Sequence, residues 1–134
     1  MRRSSKIMAT TLLHNPSCSK SRGAHGLLAE YTAKHGLHLD VVEYLQVAWT
    51  RADLESLLRK LASTEATPPP TLMMRTGDAA FRDQGLDKLD PIADRLRLLD
   101  AMVATPSLIE RPIFVHGARA VIGRPPDRVL ELLA

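Results

Sequence analysis

The chain has 134 residues, with 18 lysines and arginines against 15 aspartates and glutamates, a formal net charge of +3 and 45% hydrophobic residues. That length suits one domain with a single sizeable core. With charges of both signs interleaved and only 4% aromatic residues, nothing marks a nucleic-acid surface, and one cysteine excludes an internal disulfide.

No apolar run reaches membrane-spanning length, so no membrane association is expected. The basic start Met1-Arg2-Arg3-Ser4-Ser5-Lys6 leads into residues 7–13, which read as a first strand with no small-residue cleavage site after it. A signal peptide is therefore not expected, and the cytoplasm is the expected compartment. Residues 23–34 follow as a helix with Leu27, Leu28 and Tyr31 on one face, closed by His35-Gly36 with Gly36 as a left-handed cap. Residues 39–44 read as a second strand, which makes a βαβ unit with a parallel pair.

From Thr50 the pattern turns helical. Thr50 is the N-cap with Asp53 three residues on, and Leu54, Leu57, Leu58 and Leu61 form one stripe. Pro68-Pro69-Pro70 breaks the helix, short turns are expected over 71–76 and 78–83, and Asp90-Pro91 starts a longer helix that buries Ile92, Leu96, Leu99 and Val103. Residues 113–116 and 118–122 are strands joined by a tight hairpin at Gly117, and residues 125–133 are a terminal helix. The order is βαβ, an all-helical insertion over about 48–108, then ββα. Without the insertion this is a thioredoxin-like α/β core around a mixed four-stranded sheet, in a single domain spanning 1–134.

The cysteine lies in His14-Asn15-Pro16-Ser17-Cys18-Ser19-Lys20-Ser21-Arg22, where the first strand gives way to the helix. A sulfur at a helix N-terminus faces unpaired N–H groups and the positive end of the helix dipole. Those groups and the cations Lys20 and Arg22 favour the nucleophilic thiolate, and the same N–H groups seat an oxyanion. Three arginines stand at element boundaries: Arg75 after Met73-Met74, Arg111 before Pro112, and Arg124 between Gly123 and Pro125. Spacing alone does not decide whether they converge. Converged, their planar guanidinium forks would bind a tetrahedral oxyanion and lower the pKa of a neighbouring thiol.

No other constellation emerges. His14, His25, His35, His38 and His116 include no zinc-type spacing, no Gly-rich phosphate loop occurs, and neither a metal nor a bound cofactor is expected. Met73-Met74 and Trp49 read as packing residues.

His14-Asn15-Pro16-x-Cys18 with Ser21-Arg22, followed by Arg75, Gln84-Gly85-Leu86, Arg111-Pro112-Ile113 and Arg124-Pro125, resembles the glutaredoxin-coupled arsenate reductase family from about Thr11 onward. Ser19-Lys20 stands in place of that family's Gly-Thr and Thr76 in place of a lysine, and the loop Cys18-Ser19-Lys20-Ser21-Arg22 with Gly123-Arg124-Pro125-Pro126 is similar to its shorter, arsenate-reductase-like branch. The resemblance implies a thioredoxin-like (glutaredoxin-like) fold, a catalytic Cys18, and Arg75, Arg111 and Arg124 as oxyanion ligands, with a cis Arg111–Pro112 bond. It implies that Cys18 attacks arsenate and water leaves, that glutathione as co-substrate attacks the adduct, and that glutaredoxin reduces it to release arsenite. His14 either tunes the thiol or holds the strand end. Asn15 and Ser21 shape the loop, and Ser21 is also a candidate donor to the oxyanion. The protein is expected to act as a monomer with no nucleic-acid partner. Two other functions fit the residues less fully: a glutathione-linked thiol-disulfide oxidoreductase, and an RNA-polymerase-binding redox regulator. Cys18-x-x-Ser21 lacks the second thiol of a local disulfide cycle, and Arg124 stands where such regulators do not keep an arginine.

Overall fold

The computed structural model describes residues 10–62 and 67–133, so the strand positions expected at 7–9 lie outside the described residues. The apolar run Thr11-Leu12-Leu13 makes β1 (Thr10–His14) a strand buried at every position from Thr11 to His14. It is flanked on both sides, parallel to β2 (Asp40–Glu43) and antiparallel to β3 (Ile113–His116), with Leu13 opposite Val42 and Leu12 opposite Phe114. β3 pairs antiparallel with β4 (Arg119–Ile122). The sheet order is β2-β1-β3-β4, the mixed thioredoxin-like arrangement. Between β3 and β4, Gly117 takes φ +62° at the first of two loop positions, where a side chain would be strained.

β1 and β2 are joined by α1 (Ser19–Lys34). It begins four residues before the expected start, and its buried face is Ser21, Ala24, Leu28 and Thr32: Leu28 is buried as expected, while Leu27 and Tyr31 are only partly covered. Small and polar side chains carry the stripe because the helix lies close against the sheet and the C-terminal segment. Leu12, Ala24, Leu28, Phe114, Val121 and Val129 form one buried cluster. Thr32 satisfies its hydroxyl on the Leu28 carbonyl at 2.8 Å. At the helix end Gly36 takes φ +64°, and the Leu37 N–H reaches the Thr32 carbonyl at 2.9 Å, a Schellman closure.

The terminal helix is present but wound as a 3-10 helix over Pro126–Leu132. The Arg128 N–H bonds the Pro125 carbonyl (3.1 Å) and the Leu133 N–H bonds that of Leu130 (3.0 Å). Pro125 is the cap and Pro126 the first residue, positions where a missing N–H costs no helix bond, and the tighter winding buries Val129.

The chain divides into two compact units, one of residues 1–47 with 111–134 and one of Ala48–Glu110. The second is helical. α2 (Arg51–Leu61) opens with a full capping box between Thr50 and Asp53 and buries Leu54, Leu57 and Leu58. A 3-10 turn (Pro70–Met73), the short α3 (Ala79–Asp83), and α4 (Arg95–Ala104) follow, with 3-10 turns at Leu86–Lys88 and Pro106–Leu108. Two ion pairs tie α2 to α4. Arg51 pairs with Asp100 (2.7 Å), and Arg95 pairs with Glu55 while also donating to the Pro68 carbonyl (3.0 Å).

α4 departs from its expected start and face. Asp90 Oδ1 accepts the N–H groups of Ile92 (2.8 Å) and Ala93 (3.1 Å), so a turn precedes the helix. Leu98, Leu99 and Met102 are buried, whereas Ile92 is 65% and Leu96 52% exposed. The inward stripe is 95-98-99-102. It is led by the paired Arg95 guanidinium, a charged anchor that apolar periodicity cannot register.

Candidate active site

The loop after β1 is built from its own residues. Asn15 Oδ1 accepts the Ser17 N–H (2.9 Å) and the Asn15 carbonyl accepts the Cys18 N–H (3.0 Å), so Asn15-Pro16-Ser17-Cys18 is a tight turn. Arg22 braces it from outside through Nη1 on the Pro16 carbonyl (3.0 Å). Cys18 is then the N-cap of α1, in extended conformation (φ −101°, ψ 125°), and its carbonyl accepts the Arg22 N–H at 2.9 Å.

This placement sets the thiol's chemistry. Cys18 is partly exposed. Its sulfur makes no capping hydrogen bond of regular geometry, but the Ser21 and Lys20 N–H groups act on it as they would on a capping oxygen. Partial burial pushes the pKa up. Those two N–H groups, with the charge and hydrogen bond of Arg111, more than offset it, so the thiol lies below its ordinary range.

Arg111 supplies the other half of the site. It precedes β3 and touches Cys18, and its Nε and Nη1 are covered from solvent without a hydrogen-bond partner. Unpaired buried donors are costly, and a guanidinium left in that state beside a thiolate is complementary to an anion. Arg124 lies on the segment after β4, with Nη1 donating to the Arg111 carbonyl at 3.0 Å. The Arg111–Pro112 bond is cis, as the family resemblance implies, and so is Arg124–Pro125.

His14 and Ser21 are both buried, with Ser21 fully so. The Ser21 hydroxyl oxygen accepts the Asn15 N–H (2.9 Å) and lies 2.6 Å from His14 Nδ1. Ser21 thus ties the first turn of α1 to the end of β1. Burial chiefly lowers the His14 pKa, the neighbouring His25 ring at 4.9 Å and Arg22 add to that, and Glu43 opposes it. These surroundings favour the neutral imidazole.

Arg75 belongs to the helical unit. It follows Met74, which bridges Ile109, and its N–H bonds the Leu108 carbonyl at 2.8 Å. Its guanidinium pairs with Asp78 at 2.6 Å, and Asp78 also caps α3 through the Ala80 N–H (3.1 Å). The Asp78 pairing was not foreseen, although an arginine and an aspartate three residues apart are a legible signal. Among the described residues no group of three or more His, Cys, Asp or Glu is placed to hold a metal ion, and no helix is long and apolar enough to cross a membrane.

A sequence profile of the ArsC family matches residues 13–132. An arsenate reductase of Haemophilus influenzae is 37% identical over 126 residues, which cover 94% of this chain and 100% of that one. An arsenate reductase of Neisseria meningitidis is 36% identical, covering 91% and 96%. The solved structure of an arsenate reductase from Vibrio cholerae superposes with a TM-score of 0.73 at 34% identity, covering 92% of this chain and 98% of that one.

Proposed function

Because this chain belongs to the ArsC family, we propose that it reduces arsenate to arsenite with Cys18 as nucleophile. The observation that carries this reading is Arg111: two buried, unpartnered guanidinium nitrogens beside a thiol whose pKa is already lowered. An oxyanion held by that guanidinium lies beside the helix start whose Lys20 and Ser21 N–H groups also act on the sulfur, so the reacting charge meets pre-positioned donors. Arg124, fastened to the Arg111 carbonyl, joins the ligand set in this reading, Arg75 is added by the family resemblance alone, and His14 and Ser21 hold the loop that presents the sulfur.

The Cys18 thiolate attacks arsenic, an As–S bond forms, and one arsenate oxygen leaves with protons as water. Glutathione then attacks the cysteinyl arsenate and glutaredoxin supplies a second thiol. The two external sulfurs end as a disulfide, arsenic takes the electron pair to become As(III), and arsenite and free Cys18 are released. An external donor is required because the chain has a single cysteine. No bound cofactor takes part, and the reaction suits a cytoplasmic monomer.

The test is arsenate-dependent NADPH oxidation with glutathione, glutaredoxin and glutathione reductase, run beside Cys18→Ser. Turnover in the wild type and none in a folded Cys18→Ser variant is expected. Turnover that survives the substitution would overturn the role of Cys18. No turnover in the wild type would remove arsenate as the substrate.

A further inference from the structure

We infer that Gly123 is a positioning residue for the oxyanion site, present because any side chain there would push Arg111 and Arg124 away from Cys18. The inference rests on the functional reading above for the role of the arginines. Gly123 is buried at the end of β4, and its φ is not in the left-handed region, so conformational freedom does not explain it. Space does. A Cβ at this position would lie 2.8 Å from Val129 Cγ1 and 2.9 Å from Pro112 Cγ. Carbon atoms pack at about 3.5–4.0 Å, so these neighbours would have to move by more than half an ångström. Neither yields readily, since one is a proline ring and the other a fully buried β-branched side chain.

Two links lead from Gly123 to the site. Pro112 is joined to Arg111, and the Gly123 N–H bonds the Pro112 carbonyl at 2.9 Å. Arg124 is the next residue, held by its own N–H on the Ile122 carbonyl (3.0 Å) and by its guanidinium on the Arg111 carbonyl (3.0 Å). The segment is also seated on the cysteine's helix. A Cβ on Gly23, in the second turn of α1, would meet Pro126 Cγ at 3.3 Å. Two glycines therefore let the Arg124-Pro125-Pro126 segment and the Arg111-Pro112 segment close down together against the helix that Cys18 caps. A misplacement of about 1 Å in a binding constellation costs on the order of 10²-fold in rate.

The experiment is Gly123→Ala, read by three measurements: thermal unfolding, the ultraviolet thiolate titration of Cys18, and the arsenate concentration that protects Cys18 from iodoacetamide. A folded variant is expected to titrate at higher pH than the wild type and to need at least about tenfold more arsenate for protection. A purely structural glycine would lower the melting temperature and leave both thiol readouts unmoved, and that result would overturn the inference. Gly123→Ala/Val129→Ala removes the nearest obstruction and is expected to recover part of the titration shift, and it serves as the folded variant if Gly123→Ala fails to fold. Failure of both to fold would make Gly123 a folding residue and overturn the proposal. If the wild type shows no arsenate turnover while Gly123→Ala still shifts the thiol titration, the positioning role stands and only the substrate is wrong.

Discussion

Arg111→Met separates the two roles an active-site arginine can play. Methionine keeps an unbranched stem of comparable reach and removes the guanidinium. In the wild type, Nε and Nη1 are buried without partners, and each unsatisfied donor costs about 1–3 kcal/mol. Relief of that cost is opposed by loss of the attraction between Arg111 and the Cys18 thiolate. The net expectation is a gain of about 0–2 kcal/mol, a melting temperature unchanged or raised by up to about 8 °C. Function moves the other way. Two charge-assisted hydrogen bonds to an oxyanion, at about 1.5 kcal/mol or more each, correspond to a loss of at least about 10²-fold in arsenate kcat/KM. The pH dependence has a defined sign. Because the folded thiol pKa is lowered, thiolate formation contributes stability that is fully present above the ordinary thiol pKa and is lost as pH falls through the lowered folded value. The variant's stability advantage should thus be largest on the acid side of that window, where Arg111 faces a neutral thiol, and should shrink as pH rises. Scanning calorimetry across the window, beside steady-state kinetics, gives both numbers. A melting temperature more than about 5 °C below wild type with the thiol protonated, or an undiminished kcat/KM, would refute the reasoning.

Two further substitutions probe the scaffold. Ser21→Ala deprives the Asn15 N–H and His14 Nδ1 of a buried partner and should cost about 1–3 kcal/mol by urea unfolding. A change within 0.5 kcal/mol, roughly the level of a surface substitution, would show that this latch does not hold the loop. On α4, Leu99→Ala should cost about 2–5 kcal/mol. Ile92→Ser and Leu96→Ser should stay within about 0.5 kcal/mol, because both side chains already face solvent. The reverse ranking would restore the stripe that the sequence pattern suggests.

Much of the site was legible because its signals are local. Cys18 follows a strand and precedes a helical pattern, and Pro16 and Asn15 are turn residues, so its place near a helix N-terminus was legible, whereas the cap position itself emerged only with the start of α1 at Ser19. The Thr50–Asp53 capping box is local in the same way. What sequence patterns misplace depends on distant partners. The inward face of α4 is rotated because Arg95 is held by Glu55, 40 residues earlier, and by the Pro68 carbonyl. The buried stripe of α1 runs through Ser21 and Thr32, polar side chains that find bonds only in the folded state.

By itself, the sequence determined the order of strands and helices, the thioredoxin-like class, the helical insertion and the cysteine at a helix N-terminus, since these follow from short-range periodicity and turn chemistry. Only the tertiary structure decided that Arg111 reaches Cys18 with two donors unpaired, that Arg124 is fastened to the Arg111 carbonyl, and that Gly123 leaves room for both. Residues 18, 111 and 124 are far apart in the chain, and a sheet that pairs β1 with β3 and β3 with β4 brings them together. Electrostatic coupling at that range depends on ångströms, which spacing along a chain does not encode.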